Sequence, residues 1–331
     1  MAIAPGQPIR WGIIGTGGIA ATFAGDLALL PDAELVAVGS RSQETAARFA
    51  DRFDIACRYA SYDQLVADPN VDAVYVSTPH PMHHSAALLA IQAGKAVLVE
   101  KPFTINAAEA RELVTEARSH GTFLMEAMWT RFLPHVIKVR ELIAQGRLGE
   151  VRSVLADHGQ WFTKDAEHRL FAPQLGGGAL LDLGIYPISF ASMIFGQPKK
   201  ITAVSDQAFT GVDAQTSVLL QYDGGEQAVL FTSLETRSPN WAAINGTEAR
   251  IEIDGVFYAP SNFKVVHRDG AVERFDVPHE GHGLRHQAAE VGRCLREGRT
   301  ESDILPLDET VAIMETLDEV RRQIGLRYPT E

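Results

Sequence analysis

A chain of 331 residues is too long for one small hydrophobic core, so two domains are expected. Hydrophobic residues make up 46% and charged residues 22%, the balance of an ordinary globular protein rather than a disordered or fibrous one. A net charge of -12 supplies no basic stripe for a nucleic-acid backbone and disfavours docking on anionic lipid. From the N-terminus, Ile9–Gly15, Leu35–Ser40, Ala73–Ser77, Ala96–Glu100 and Thr122–Glu126 are short apolar runs that read as buried strands. Between them, Gly18–Leu30, Gln43–Phe53, Pro81–Ala93 and Ala107–His120 read as helices. The alternation predicts a doubly wound parallel sheet over residues 1–126.

The pattern then changes. A helix near Leu133–Gln145 precedes a long strand, Val151–Phe162, and a Gly-rich helix start at Gly176–Phe195. Strand-like runs follow at Ile201–Phe209, Gln215–Tyr222, Gln227–Leu234, Ala249–Ile253 and Phe263–His267. Asp223-Gly224-Gly225 and Asp269-Gly270 separate several of them, as hairpins require. Leu284–Glu297 and Leu307–Ile324 read as closing helices. Residues 127–331 are thus expected to form an α+β domain with a large, mostly antiparallel sheet, its last helix packing back on the first domain. Cys57 and Cys294 lie far apart and outside any C-x-x-C, which fits a reducing, cytoplasmic setting. Met1–Pro8 has no leader pattern, and no apolar run is read as approaching the roughly 20 residues that cross a bilayer.

Gly15-Thr16-Gly17-Gly18-Ile19-Ala20 is a G-x-G-x-x-A between the first strand and the first helix. Gly15 permits the tight turn, Gly17 lets backbone N–H groups approach a pyrophosphate, and Ala20 allows close helix–strand packing. The helix N-terminus adds its positive dipole end. At the end of the next strand an NAD site places Asp or Glu for the ribose 2′-OH, but this chain has Ser40-Arg41-Ser42. Arg41 can pair with a 2′-phosphate and the serine hydroxyls can donate to it, so NADP is expected, with NAD possible. The competing reading has the serines capping the next helix and Arg41 solvated.

Two further strand ends carry polar clusters, Ser77-Thr78-Pro79-His80-Pro81-Met82-His83-His84 and Glu100-Lys101-Pro102. In open α/β sheets such positions line the ligand crevice, which directs Lys101 towards nicotinamide. The three histidines lack a nearby Cys, Asp or Glu to complete a metal site, and no metal is expected. Asp182 and Tyr186 are four residues apart, so on a helix they share a face.

These motifs, with Ala93-Gly94-Lys95 and Gly176-Gly177-Gly178-Ala179-Leu180-Leu181-Asp182-Leu183-Gly184-Ile185-Tyr186, resemble the glucose-fructose oxidoreductase/inositol dehydrogenase/MocA (Gfo/Idh/MocA) family along essentially the whole chain. His80 stands where many members have Asn, and Tyr186 where many have the catalytic His. The Tyr variant resembles the branch of dimeric dihydrodiol and NADP-dependent xylose dehydrogenases. So do Met125–Pro134, whose Trp129 and Arg131 are expected among the cofactor contacts, and the tail with Glu301-Ser302 and Leu326-Arg327-Tyr328-Pro329.

The resemblance implies hydride transfer between nicotinamide and a sugar, inositol or cyclic-diol hydroxyl or carbonyl. It implies that Tyr186 is the proton acceptor, Lys101 its electrostatic partner and Asp182 an orienter of the substrate hydroxyl or of Lys101. A tyrosine of pKa ~10 needs such a cation to act near neutral pH. The Thr78–His83 loop, with His80 and His83, is placed beside the nicotinamide half of the cofactor. Trp129, Trp161, Phe162 and Trp241 are weighed as substrate-stacking aromatics, with buried core the preferred role for any one of them. The resemblance also implies a cis Lys101–Pro102 peptide and a homodimer or dimer of dimers paired through the open sheet. The alternative is a non-catalytic dinucleotide or sugar sensor on the same fold. Retention of both Lys101 and Tyr186 favours the enzyme, because a sensor needs no proton relay.

Overall fold

The structure, a computed structural model, describes residues 6–329 and 331. Met1–Pro5, on which the expectation of no leader partly rests, and Thr330 lie outside the described residues. The chain forms two compact units, Met1–Trp129 with Glu280–Val311, and Thr130–His279 with Ala312–Glu331.

The first unit opens with β1 (Ile9–Ile14), α1 (Gly18–Leu27), β2 (Ala33–Gly39), α2 (Gln43–Phe53), β3 (Cys57–Tyr59) and α3 (Tyr62–Val66). It continues with β4 (Ala73–Val76), α4 (His83–Gln92), β5 (Ala96–Glu100), α5 (Ala107–His120) and β6 (Leu124–Ala127). All six strands are parallel, in the order β3-β2-β1-β4-β5-β6. Strand order reverses between β1 and β4, the switch point at which such sheets hold ligands. The central strands β1, β4 and β5, with β6, are buried on both faces, which explains their largely apolar sequence. Trp11, Phe23 and Tyr75 form an aromatic core, with Phe23 stacked on Tyr75 at 3.9 Å. α2 and α5 begin where side chains cap them: Ser42 accepts from Thr45 N, and Asn106 from Glu109 N. β3 and α3 were not anticipated; three and five residues are too short to show a period.

The second unit has α6 (Pro134–Ala144), β7 (Val151–Gly159) and α7 (Ile185–Phe195). Its sheet is completed by β8 (Lys200–Gln207), β9 (Asp213–Gln221), β10 (Gln227–Ser233), β11 (Ala242–Gly246), β12 (Ala249–Ile253), β13 (Phe263–His267) and β14 (Val272–Phe275). The eight strands run in the order β14-β13-β12-β11-β7-β10-β9-β8, with β7–β10 the one parallel pair. β11 and β14 lie in stretches without clear alternation and were not foreseen. Along β10 alternate residues separate sharply: Ala228 and Leu230 are buried, while Val229 is 49% exposed. Register places Val204 and Val272 on the same open face as Val229, and they are 67% and 51% exposed. Within the helix read across Gly176–Phe195 there are two pieces, a π-helical turn at Leu180–Gly184 and α7, and a 3₁₀ turn at Pro173–Leu175 precedes them. Contrary to the sequence reading, Pro173–Phe195 is long and apolar enough to cross a membrane, but most of it is buried as a core element.

After β14 the chain supplies α8 (Arg285–Arg296) to the first unit, and the division between the units falls within α9 (Leu307–Ile324). Asp26 on α1, 2% exposed, accepts from the backbone N–H groups of His282 at 2.8 Å and Leu284 at 2.7 Å. The carboxylate thereby fastens the segment entering α8 to the helix that follows β1.

Candidate functional site

The loop from β1 to α1 is built for an anion. Gly15 has φ +106°, and a Cβ there would meet Ser77 O at 2.8 Å, so only glycine turns the chain here against the end of β4. Ser77 donates from Oγ to Ile14 O at 3.0 Å and fixes the same junction. α1 has no side-chain cap and no acidic residue in its first turn. The Cβ positions of Gly17 and Gly18 face open space. The first N–H groups of α1 and the positive end of its dipole are therefore available to phosphate.

Past β2, Ser40 is buried with its hydroxyl 2.5 Å from Thr45 Oγ1, and Ser42 caps α2, while Arg41 is exposed. Of the trio, Arg41 and Ser42 are placed in solvent, Ser42 with its hydroxyl engaged as the helix cap, and no carboxylate stands between Gly39 and Gln43. The buried Thr78 Oγ1 has no protein partner among the described residues. An uncapped helix end, a glycine turn and an orphaned hydroxyl beside it fit a dinucleotide, the group that the strand order implies.

Around Lys101 the structure is a set of backbone clamps. Tyr75 Oη donates a short hydrogen bond to Glu100 Oε1, and Glu100 Oε2 accepts from Lys101 N at 3.1 Å. Phe103 N donates to Glu126 Oε1 at 3.1 Å. His83 lies with Nδ1 2.8 Å from Pro102 O and Nε2 2.9 Å from Thr78 O. Burial lowers its pKa to about 4, against the two carbonyls, which favour the charged ring, and with the Lys101 cation, which opposes it. His83 thus ties the β4 end to the Lys101 segment and has no ring nitrogen left for a ligand. His84 pairs with Glu112 at 3.1 Å, while His80 is buried with its ring edge-on to His83. The Lys101–Pro102 peptide is cis.

In the second unit the π-helical turn carries Asp182, and α7 carries Tyr186; both are buried. Asp182 accepts from Arg169 Nη1 at 2.9 Å, a charge-assisted pair with the arginine half in solvent. The Tyr186 ring packs edge-on to His158 at 5.2 Å and tilted against Tyr258 at 4.9 Å. His158 stacks on Tyr258 at 3.9 Å, and Gln160 Nε2 reaches both His158 Nε2 at 2.9 Å and Tyr258 Oη at 3.1 Å. Thr130 Oγ1 donates to Tyr258 O at 2.7 Å, and Arg131 donates from Nη2 to Ser189 O at 2.7 Å. Arg131, 1% exposed, therefore anchors α7 one turn past Tyr186.

Some residues differ from their sequence reading. Trp161 and Trp241 are 58% and 37% exposed rather than buried core, while Trp129 and Phe162 are half-buried. Arg169, His158, Gln160, Tyr258 and Asp213 escaped notice. They come from separated strands and loops, and no local spacing announces that they meet.

Residues 9–128 match the GFO_IDH_MocA description "Oxidoreductase family, NAD-binding Rossmann fold", and residues 136–252 match "GFO/IDH/MocA C-terminal domain". The chain is 40% identical to trans-1,2-dihydrobenzene-1,2-diol dehydrogenase of Bos taurus, over 98% of its own length and 99% of that protein's. It is 39% identical to D-xylose 1-dehydrogenase (NADP(+)) of Hypocrea jecorina, over 99% and 95% of the two chains. A 3-ketoreductase from Actinomadura kijaniata, solved with NADP and TDP-benzene, is 28% identical with a TM-score of 0.84, covering 96% of this chain and 98% of that one.

Proposed function

The chain belongs to the GFO/IDH/MocA oxidoreductase family, and from that premise we propose that it is an NADP-dependent dehydrogenase of cyclic diols or aldoses. The observation that carries the reading is the full-length likeness to dehydrogenases named for a dihydrodiol and for xylose. Arg41 in place of an acidic residue after β2 supports NADP over NAD.

When bound, nicotinamide supplies the hydride acceptor or donor. The Gly15–Gly18 loop and the α1 N-terminus hold the diphosphate, and Arg41 pairs with the 2′-phosphate. Thr78 offers its unpaired hydroxyl to the dinucleotide, while Glu100 and His83 hold the backbone from which Lys101 extends. Tyr186 takes the proton of the substrate hydroxyl, Lys101 supplies the positive charge that favours the phenolate, and Asp182 orients the hydroxyl. Trp129 and Phe162 flank the substrate ring.

The test is NADP reduction with trans-dihydrobenzenediol and with D-xylose. Turnover of either supports the reading, whereas tight NADPH binding with no turnover of diols or aldoses would favour a sensor. We place the protein in the cytoplasm, in keeping with its two free cysteines. We further propose a homodimer paired through the open sheet face on which Val204 and Val229 stand exposed, since covering them would remove apolar surface from water. Val229→Arg should then yield monomers by light scattering, and a monomeric wild-type protein at micromolar concentration would refute the pairing.

A further inference from the structure

The π-helical turn that presents Asp182 has no cap of its own: Ala179 precedes Leu180 and supplies no side-chain hydrogen bond. An N-terminus inside a core leaves N–H groups that need partners. Here the partner comes from the sheet. Asp213, the first residue of β9 and 2% exposed, accepts through Oδ2 from Leu180 N at 2.7 Å and from Thr216 Oγ1 at 2.8 Å. Its other oxygen, Oδ1, has no protein donor among the described residues. It lies 2.1 Å from where a Cβ on Gly178 would stand, at a residue with φ +120°.

Two more contacts pin the same entry. Tyr328 Oη donates to Gly177 O at 2.7 Å, and Thr232 Oγ1 on β10 donates to Ala179 O at 3.3 Å. Asp213 alone among the three is an acidic side chain, and burying one needs compensation from its surroundings. The Leu180 N–H and the Thr216 hydroxyl supply part of that compensation, and in return the carboxylate fixes the axial position and rotation of Leu180. Asp182 lies two residues further on and Tyr186 six, on continuous helical backbone.

We propose that Asp213 is a positioning residue for the reaction, setting the Asp182 and Tyr186 side chains by holding Leu180 against β9. The assignment rests on the reading of Tyr186 as proton acceptor given above. It explains why Gly178 tolerates no side chain: any Cβ would displace the carboxylate that fixes the turn. Because Oδ1 has no donor, Asp213→Asn keeps the acceptor for Leu180 N and Thr216 while exchanging only the idle oxygen for an amide. Asp213→Ala removes the acceptor altogether.

The experiment measures kcat and KM with NADP on whichever of trans-dihydrobenzenediol or D-xylose the wild-type protein oxidises. NADPH fluorescence titration and circular dichroism control for folding. A misplacement of catalytic groups of about 1 Å costs about 10²-fold, so Asp213→Ala should lose roughly that factor in kcat with KM little changed. Asp213→Asn should stay within about threefold of wild type, a rescue that loss of packing alone does not predict. If Asp213→Ala does not fold, Thr216→Val, which leaves the Leu180 contact but removes the second donor, should still lower kcat at constant KM. Full kcat in Asp213→Ala, or in Thr216→Val where the alanine variant is unfolded, overturns the assignment. So does an asparagine variant as impaired as the alanine one. Tyr186→Phe assayed alongside separates the two claims. Its retention of turnover defeats the reading of Tyr186, whereas an inactive Tyr186→Phe beside an active Asp213→Ala defeats only the role of Asp213.

Discussion

Acid should weaken the first unit through His83. The ring is 1% exposed between two backbone carbonyls, and a neutral imidazole has one N–H to give them. Protonation would serve both carbonyls, yet burial outweighs that gain and lowers the pKa from 6.5 to about 4. The unfolded chain therefore takes up a proton near 6.5 that the folded one refuses until about 4. The contribution of His83 is whole above 6.5 and is lost progressively as pH falls through that window. At ~1.4 kcal/mol per pH unit the loss reaches about 2 kcal/mol near pH ~5 and about 3 kcal/mol near pH ~4. Urea unfolding followed by circular dichroism, with wild type and His83→Asn compared at about pH 7 and about pH 5, reads this directly. The asparagine variant starts lower because it loses a clamp, but the stability gap between the two proteins should shrink by about 2 kcal/mol on acidification. A gap unchanged by pH would refute the account of His83 as a ring held neutral by burial.

In the second unit two groups should pull in opposite directions. His135, lowered to about 4 by burial, loses stability below 6.5 as His83 does; Asp213, raised to about 6 by burial, adds stability as pH falls from about 6 to 3.8. Asp213→Asn removes that gain, so the variant should lose about 2 kcal/mol more than wild type between about pH 7 and about pH 4, and equal urea curves would contradict the sign. Tyr186→Phe should lower kcat about 10²–10⁴-fold with NADPH affinity unchanged, and near-wild-type turnover would move the base elsewhere. Lys101→Met should cost a similar factor and shift the alkaline limb of oxidation upward, with the double variant little worse than either single one; additive losses in kcat would show that the two act separately. Arg41→Ala should weaken NADPH by about 1.5–3 kcal/mol and NADH much less in fluorescence titrations, and equal loss for both cofactors would remove Arg41 from the 2′-phosphate.

What could be read from the sequence was local. α2 and α5 were legible because Ser42 and Asn106 cap them and apolar positions repeat along them. β5, β12 and β13 were legible because continuous or alternating apolar runs distinguish buried from half-buried strands. The phosphate loop was legible because its chemistry needs glycines at a fixed spacing. The surroundings of Tyr186 were not. His158, Tyr258 and Tyr186 reach one another from a strand, a loop and a helix, and Asp213 meets Leu180 across 33 residues of sequence. His83 was legible as a motif residue but not as a clamp, because only the fold shows a carbonyl on each side of the ring.

The Asp26 contact bears on the order in which the molecule can be made. The nucleotide-binding unit receives its closing segment, Glu280–Val311, only after residues 130–279 have been synthesised. At roughly 5–20 residues per second those 150 residues take about 8–30 s on the ribosome. Throughout that interval the carboxylate of Asp26 and the surface destined for α8 wait uncovered, although every strand of the parallel sheet has already been synthesised. The half of the protein that is translated first is therefore among the last to be finished, and a chain cut short after β6 leaves the ribosome with a sheet but no closure.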